Sequence, residues 1–212
     1  MSWQGGGCPA SLASYAVAPG IVNLMKSVNR CAWVPSGNEI YEKYHDKEWG
    51  VPVHDDRKLF EFIVLESAQA GLSWAIVLKK RDGYRKAFAN FDPKKVAKFG
   101  AKDVTRFLKN PEIIRNRQKI NAAIKNAQVF LEIQKEFGSF DAYMWNFVKG
   151  KTIKHKISDL KQYPKFIPEA EAFAKDLKKR GFGFFGPTVA YAHMQAVGMV
   201  DDHMVGCFRR KT

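Results

Sequence analysis

Along most of the chain, apolar residues return every three or four positions, the spacing of a helix with one buried face. Asp55 and Asp56 precede Leu59, Phe60, Ile63 and Val64, which predicts a capped helix ending near Gly71. Ser73 is placed to cap a short helix through Leu78. Asp92-Pro93 pairs a capping side chain with a proline in the first turn. Pro111 predicts the start of a long helix carrying Ile113, Ile120, Ile124, Ala127 and Leu131. Another piece is expected from Asp141, with Met144, Trp145 and Val148 inward. Pro168 opens a helix through Leu177 to Gly181, and Pro187 one through Tyr191, Met194 and Val197 to Gly198. Residues 149–167, basic and proline-bearing, read as loop. No run alternates apolar and polar residues convincingly, and no internal repeat is visible. The pattern predicts an all-α fold.

Composition narrows the partners. A length of 212 residues suits one domain, and 46% hydrophobic content can fill its core. Lys and Arg number 35 against 21 Asp and Glu, a formal net charge of +14. That excess favours a polyanion, nucleic acid first and an anionic membrane surface second, although it also serves solubility alone. No apolar run reaches the roughly 18 residues that a membrane span needs. Three cysteines are too few and odd in number for a disulfide framework, which points to a reducing compartment. The first 30 residues hold no Asp or Glu. Residues 1–24 read as a disordered leader or a non-native addition, with Cys8 a spare thiol and Met25 a plausible start. Organelle targeting has only Lys26 and Arg30 in its favour.

Four groups of residues can carry chemistry. Cys31, His45, His203 and Cys207 supply two thiolates and two imidazoles, a closed tetrahedral set for a structural zinc. His203-x3-Cys207 fits one helical turn, whereas Cys31-x13-His45 is too open for a finger knuckle, and two buried thiols with unrelated histidines is the alternative. Glu66, near the end of an apolar helix, is either a satisfied core acid or a polar tooth in a pocket. Leu72, in the turn after it, either wedges between base pairs or caps the core. Trp33, Tyr41, Tyr44 and Trp49 either stack a flipped base or pack a core around His45. Lys178-Lys179-Arg180 runs into Gly181, Gly183 and Gly186, then Pro187-Thr188. Such a turn suits a DNA phosphate held at a helix N-terminus, or merely a tight helix connection packed by phenylalanines.

Taken together, these segments resemble 3-methyladenine DNA glycosylase I. The resemblance rests on Arg30-Cys31-Ala32-Trp33, Tyr44-His45-Asp46-x-Glu48-Trp49-Gly50-Val51-Pro52, Leu65-Glu66-Ser67-x-Gln69-Ala70-Gly71-Leu72-Ser73-Trp74, Gly181-Phe182-x-Phe184-x-Gly186-Pro187-Thr188 and Val200-Asp201-Asp202-His203-x3-Cys207. It covers residues 30–207 and implies a helix-hairpin-helix glycosylase domain over 25–212. It implies one structural zinc on Cys31, His45, His203 and Cys207. It implies a base pocket of Glu66, Tyr44 and Trp74 with Trp33 and Trp49 as further walls, and a DNA-wedging turn at Gly71 and Leu72. The hairpin matches Gly181, Gly183, Gly186 and Thr188. Where the wider superfamily has an Asp that supports the sugar cation, this family commonly has Asn, and here Asp201 stands. Asp201 either stabilises the sugar or caps a helix carrying His203, and the structural role is expected. The implied activity is monofunctional hydrolysis of 3-methyladenine from alkylated double-stranded DNA by a cytoplasmic, nucleoid-associated monomer. The rivals are a DNA-binding module without catalysis and a glycosylase for another lesion, such as 3-methylguanine.

Overall fold

The computed structural model describes residues 28–210. The expected leader, residues 1–24, and Cys8 lie outside the described residues. Nine helices are present among the described residues: α1 Glu39–Lys47, α2 Asp56–Gln69, α3 Trp74–Ala87, α4 Pro93–Val96, α5 Ala101–Lys109, α6 Arg117–Phe137, α7 Phe140–Trp145, α8 Pro168–Arg180 and α9 Pro187–Ala196. The all-α expectation holds apart from one parallel pair of two-residue strands, β1 Ile153–Lys154 and β2 Val200–Asp201, in register Ile153 to Val200. Strands this short offer no alternation to read.

α2 is the axis of the fold. Its cap is the expected one, with the Asp55 side chain accepting from Lys58 N at 2.8 Å. Every residue from Leu59 to Ala68 is buried, so the helix is covered all round rather than along one stripe. Two acids are enclosed with it. Glu61 is neutralised by Arg81 at 2.7 Å and Lys58 at 3.1 Å; Glu66 is treated below. α2 packs against α3, α6, α7 and α9.

Three boundaries depart from the sequence pattern. α6 begins at Arg117, not behind Pro111, because Asn116 accepts from Lys119 N at 3.1 Å and starts the helix there. Asn110 instead turns the chain by accepting from Glu112 N at 2.9 Å, and Ile113 still reaches the core from that turn. α3 passes Leu78 and runs to Ala87. Its Gly83 is where the 110–113 turn meets the helix: a Cβ there would lie 2.3 Å from the Glu112 carbonyl oxygen. α7 is capped by Ser139 rather than Asp141. Asp56, in the first turn of α2, accepts from Phe140 N and Asp141 N, each at 2.9 Å, and joins the two helix starts. α1 and α5 are additional to the elements the pattern predicts.

The C-terminal return depends on one glycine. Gly198 has φ +72°, and a Cβ there would lie 2.3 Å from Pro52 N. Backbone meets backbone at this point, with no flexible side chain to yield. Gly198→Ala is therefore expected to cost about 3 kcal/mol or more of unfolding free energy, read from urea melts. A change below about 0.5 kcal/mol, the range of surface substitutions, would show that the contact relaxes freely.

Candidate functional site

α1, α2, α3 and α9 converge on a cavity of about 380 Å³. Trp33, Tyr41, Tyr44, Trp49 and Trp74 supply rings, and Leu160 and Ala192 close the apolar lining. Tyr44 and Trp74 have ring centroids 5.3 Å apart, and Trp33 and Trp49 4.9 Å apart. All four aromatic residues expected in a base pocket thus line one chamber. Tyr41, singled out among the aromatics, joins them.

Glu66 enters this chamber from the last turn of α2 and is only 5% exposed. Among the described residues its carboxyl has no hydrogen bond and no ion pair, a costly state for a buried acid. Burial alone pushes its pKa up to about 8. Tyr44 is driven well above its ordinary value, first by burial and then by the neighbouring Glu66 charge, so its phenol stays protonated and able to donate. Glu66 is therefore a polar tooth in a cavity, not a satisfied core acid.

Three polar groups in the lining escape the sequence reading. Gln195, Tyr163 and Gln69 face the same chamber. The first two hang on Asp202, which is fully buried. Its Oδ2 accepts from Gln195 Nε2 at 2.6 Å and from the Tyr191 hydroxyl, its Oδ1 faces His155 Nδ1 at 2.6 Å, and its carbonyl accepts from the Tyr163 hydroxyl at 2.9 Å. The available signal was Tyr191 and Gln195 four positions apart on α9, hence on one face.

Next to this chamber lies a second cluster. Cys31, His45, His203 and Cys207 are buried, with one potential ligand atom each, all within 4.8 Å of one another. Cys31 Sγ lies 3.5 Å from His203 Nδ1, and Cys207 Sγ lies 3.5 Å from His45 Nε2 and 3.6 Å from His203 Nδ1. A tetrahedral ion with ordinary sulfur and nitrogen bond lengths separates S and N by about 3.6 Å, so the donors fit a metal without rearrangement. Each imidazole has its other nitrogen engaged: His45 Nδ1 with Asp46 Oδ1 at 2.8 Å, His203 Nε2 with the Trp49 carbonyl at 3.2 Å. Such partners fix the tautomer that presents a lone pair to a metal. Burial holds His203 down at about 4, hence neutral, and pushes the Cys31 thiol up to about 12. A thiol so enclosed ionises readily only with a cation beside it.

The expected helical turn for His203 and Cys207 is not formed. The chain leaves β2 extended and turns at Val205 and Gly206, where Cys207 N donates to the Met204 carbonyl at 3.0 Å. Asp201 accordingly caps no helix. It sits in β2 outside the cavity lining, and its Oδ1 accepts from His203 N at 3.2 Å. It steadies the segment that carries His203.

Two turns complete the set. Gly71, at φ +78° with open space around it, and the 36%-exposed Leu72 form the tip between α2 and α3. The other turn links α8 to α9. Gly181 takes φ +99° to end α8 behind Lys178, Lys179 and Arg180, and Gly186 is the N-cap of α9. Buried Asn126 grips Gly183 in both directions, donating to its carbonyl at 3.0 Å and accepting from its N–H at 2.8 Å. Gly183 also packs closely on Ala122, where a Cβ would lie 3.1 Å from the alanine's own. Thr188 is exposed in the first turn of α9, where backbone N–H groups have no helical acceptor.

A ring-walled chamber of about 380 Å³ with an acid inside it, in a chain this basic, fits the class of enzymes that act on a base of nucleic acid. The chain belongs to the methyladenine glycosylase family, whose sequence profile matches residues 33–210. It is 49% identical over 178 residues to the DNA-3-methyladenine glycosylase of Haemophilus influenzae, an overlap of 84% of this chain and 96% of that protein. It matches the crystal structure of a 3-methyladenine DNA glycosylase I with TM-score 0.84 and 48% identity, over 86% of this chain and all of that one. The Staphylococcus aureus enzyme, whose structure concerns 3-methyladenine recognition, matches with TM-score 0.83 and 36% identity, over 87% of this chain and 98% of that one.

Proposed function

We propose that the chain hydrolyses the N-glycosidic bond of 3-methyladenine in alkylated double-stranded DNA, with Glu66 as the residue that recognises the base. The observation that carries this reading is the unpartnered Glu66 carboxyl in a chamber walled by Tyr44 and Trp74. Methylation at N3 leaves the purine cationic. When the bond to the sugar breaks, its electron pair neutralises the base, so departure needs no acid. Water adds to the sugar carbon and gives up a proton, leaving an abasic site. The protein's task is selection. Rings attract a flat cation through their faces, and a carboxylate accepts from the exocyclic amine and meets the charge. Undamaged adenine brings no charge, so it forgoes the attraction between a cationic base and an ionised Glu66.

Trp33 and Trp49 complete the walls. The Gly71–Leu72 tip fills the space a flipped base leaves, and α8, Gly181–Gly186 and α9 act as a helix-hairpin-helix that holds one phosphate through free N–H groups near Thr188. Cys31, His45, His203 and Cys207 hold one structural zinc, which supplies no chemistry to the reaction and fixes the two ends of the domain. The enzyme works as a monomer on DNA in the cytoplasm.

Free 3-methyladenine, neutral once its bond to the sugar is broken, is expected to quench tryptophan fluorescence saturably, and an absence of quenching would remove the chamber as the base site. Asp201→Asn keeps an acceptor for His203 N, so turnover should change less than about 3-fold, well inside what one lost neutral hydrogen bond would cost. A loss of several hundredfold would instead assign Asp201 to support of the sugar cation.

A further inference from the structure

The end of α2 and the turn after it hold two tools six residues apart: Glu66 in the chamber and Leu72 at the exposed tip. α2 has no basic residue in its own last turn to meet its terminal carbonyls. The cation comes from another helix. Lys119, in the first turn of α6, donates from Nζ to the Ala68 carbonyl at 2.8 Å and the Ala70 carbonyl at 2.6 Å. Its own N–H is held by Asn116 at 3.1 Å, and it lines a small cavity together with Val64, Ala68 and Ile120. The tip itself is closed by Leu72 N donating to the Gln69 carbonyl at 2.6 Å and Gln69 Nε2 donating to the Leu72 carbonyl at 2.7 Å. Gln69 also lines the chamber. Beyond Ala70, φ +78° at Gly71 leaves the tip no helical continuity with α2.

We propose that Lys119 is a positioning residue for DNA distortion: by tying Ala68 and Ala70 to α6, it holds the Leu72 tip at a fixed reach from Glu66. Insertion of the tip and capture of the base then proceed as one rigid movement. Without the tie, DNA pushing on Leu72 displaces the tip instead of the tip unstacking the DNA. Lys119 is not part of the chamber lining, and its hydrogen bonds go to the Ala68 and Ala70 carbonyls. The inference rests on the reading of Gly71–Leu72 as the element that enters DNA.

The test compares Lys119→Met, Lys119→Arg and Leu72→Ala in two assays: turnover on methylated duplex DNA, and binding of free 3-methyladenine by tryptophan fluorescence. Lys119→Met should lower kcat on duplex about 10-fold or more, the scale of a misplaced positioning element, and leave free-base affinity unchanged. Lys119→Arg, which still donates two N–H groups, should restore most of the rate. Equal losses in both assays would reduce Lys119 to a general structural cap, and full turnover by Lys119→Met would overturn the proposal directly. Failure of Arg to restore the rate would count against the carbonyl tie. If Leu72→Ala retains full duplex turnover, the tip reading itself fails; if only Leu72→Ala loses turnover, the tip reading stands and the role of Lys119 falls.

Discussion

Glu66→Gln is expected to lower excision of 3-methyladenine from methylated duplex DNA by about 100-fold or more, the usual loss when a group aimed at substrate charge is removed. Affinity for undamaged duplex should change less than about 2-fold, because phosphate contacts and not the chamber supply non-specific binding. The amide keeps an acceptor of nearly the same shape but carries no charge. The same substitution should stabilise the fold at alkaline pH. Burial holds the native carboxyl at about 8 against an ordinary 4.5, so the native state keeps its proton where the unfolded chain has lost it. The penalty is absent below 4.5, grows as pH rises, and is complete above about 8, where it reaches at most roughly 5 kcal/mol. Glu66→Gln should therefore melt well above the wild type in alkaline buffer, with the gap closing toward the lower value. A pH-independent difference in Tm would contradict the burial of an unpaired acid. Loss of function with gain of stability is the pattern of a residue retained for its chemistry.

Metal removal should have the other large effect. Cys31 and His45 come from the start of the described chain and His203 and Cys207 from its end, and the four meet in a buried cluster. No such site exists in the unfolded chain, so metal affinity appears directly as folding free energy. A strong chelator is expected to lower Tm by about 10 °C or more, given roughly 2–4 °C per kcal/mol for a chain of this size. One equivalent of zinc should restore it, and Cys207→Ser should reproduce the chelated state without further response to chelator. Unchanged melting after verified metal depletion would make the cluster a pair of thiols and a pair of histidines that happen to meet. The chamber would suffer too, since Trp49 stands between the two sites, its ring 4.9 Å from Trp33 and its carbonyl on His203.

The parts of this architecture that were legible in the sequence are those specified locally. Asp55, Asp92, Pro168 and Pro187 begin helices where cap and proline chemistry says they should. Glu66, Tyr44 and Trp74 stood inside long contiguous motifs, and they line one chamber. The misplaced starts of α6 and α7 had two competing signals a few residues apart. Pro111 and Asn116 both suit a helix start; Asn116 takes it by accepting from Lys119 N, while the 110–113 turn packs against Gly83. Gln195 and Tyr163 were missed because their place depends on Asp202, and buried Asp202 is reached through partners up to 47 positions away. Lys119 was invisible for the same reason: nothing near it in sequence announces Ala68 and Ala70.

Chromatography of the bases freed from methylated duplex DNA by the purified protein tests the central claim most directly. A chamber that selects a cationic adenine by rings and one acid should release 3-methyladenine as the dominant product, and the Glu66→Gln protein should release almost none. Release chiefly of another methylated purine, or equal release by both proteins, would contradict it.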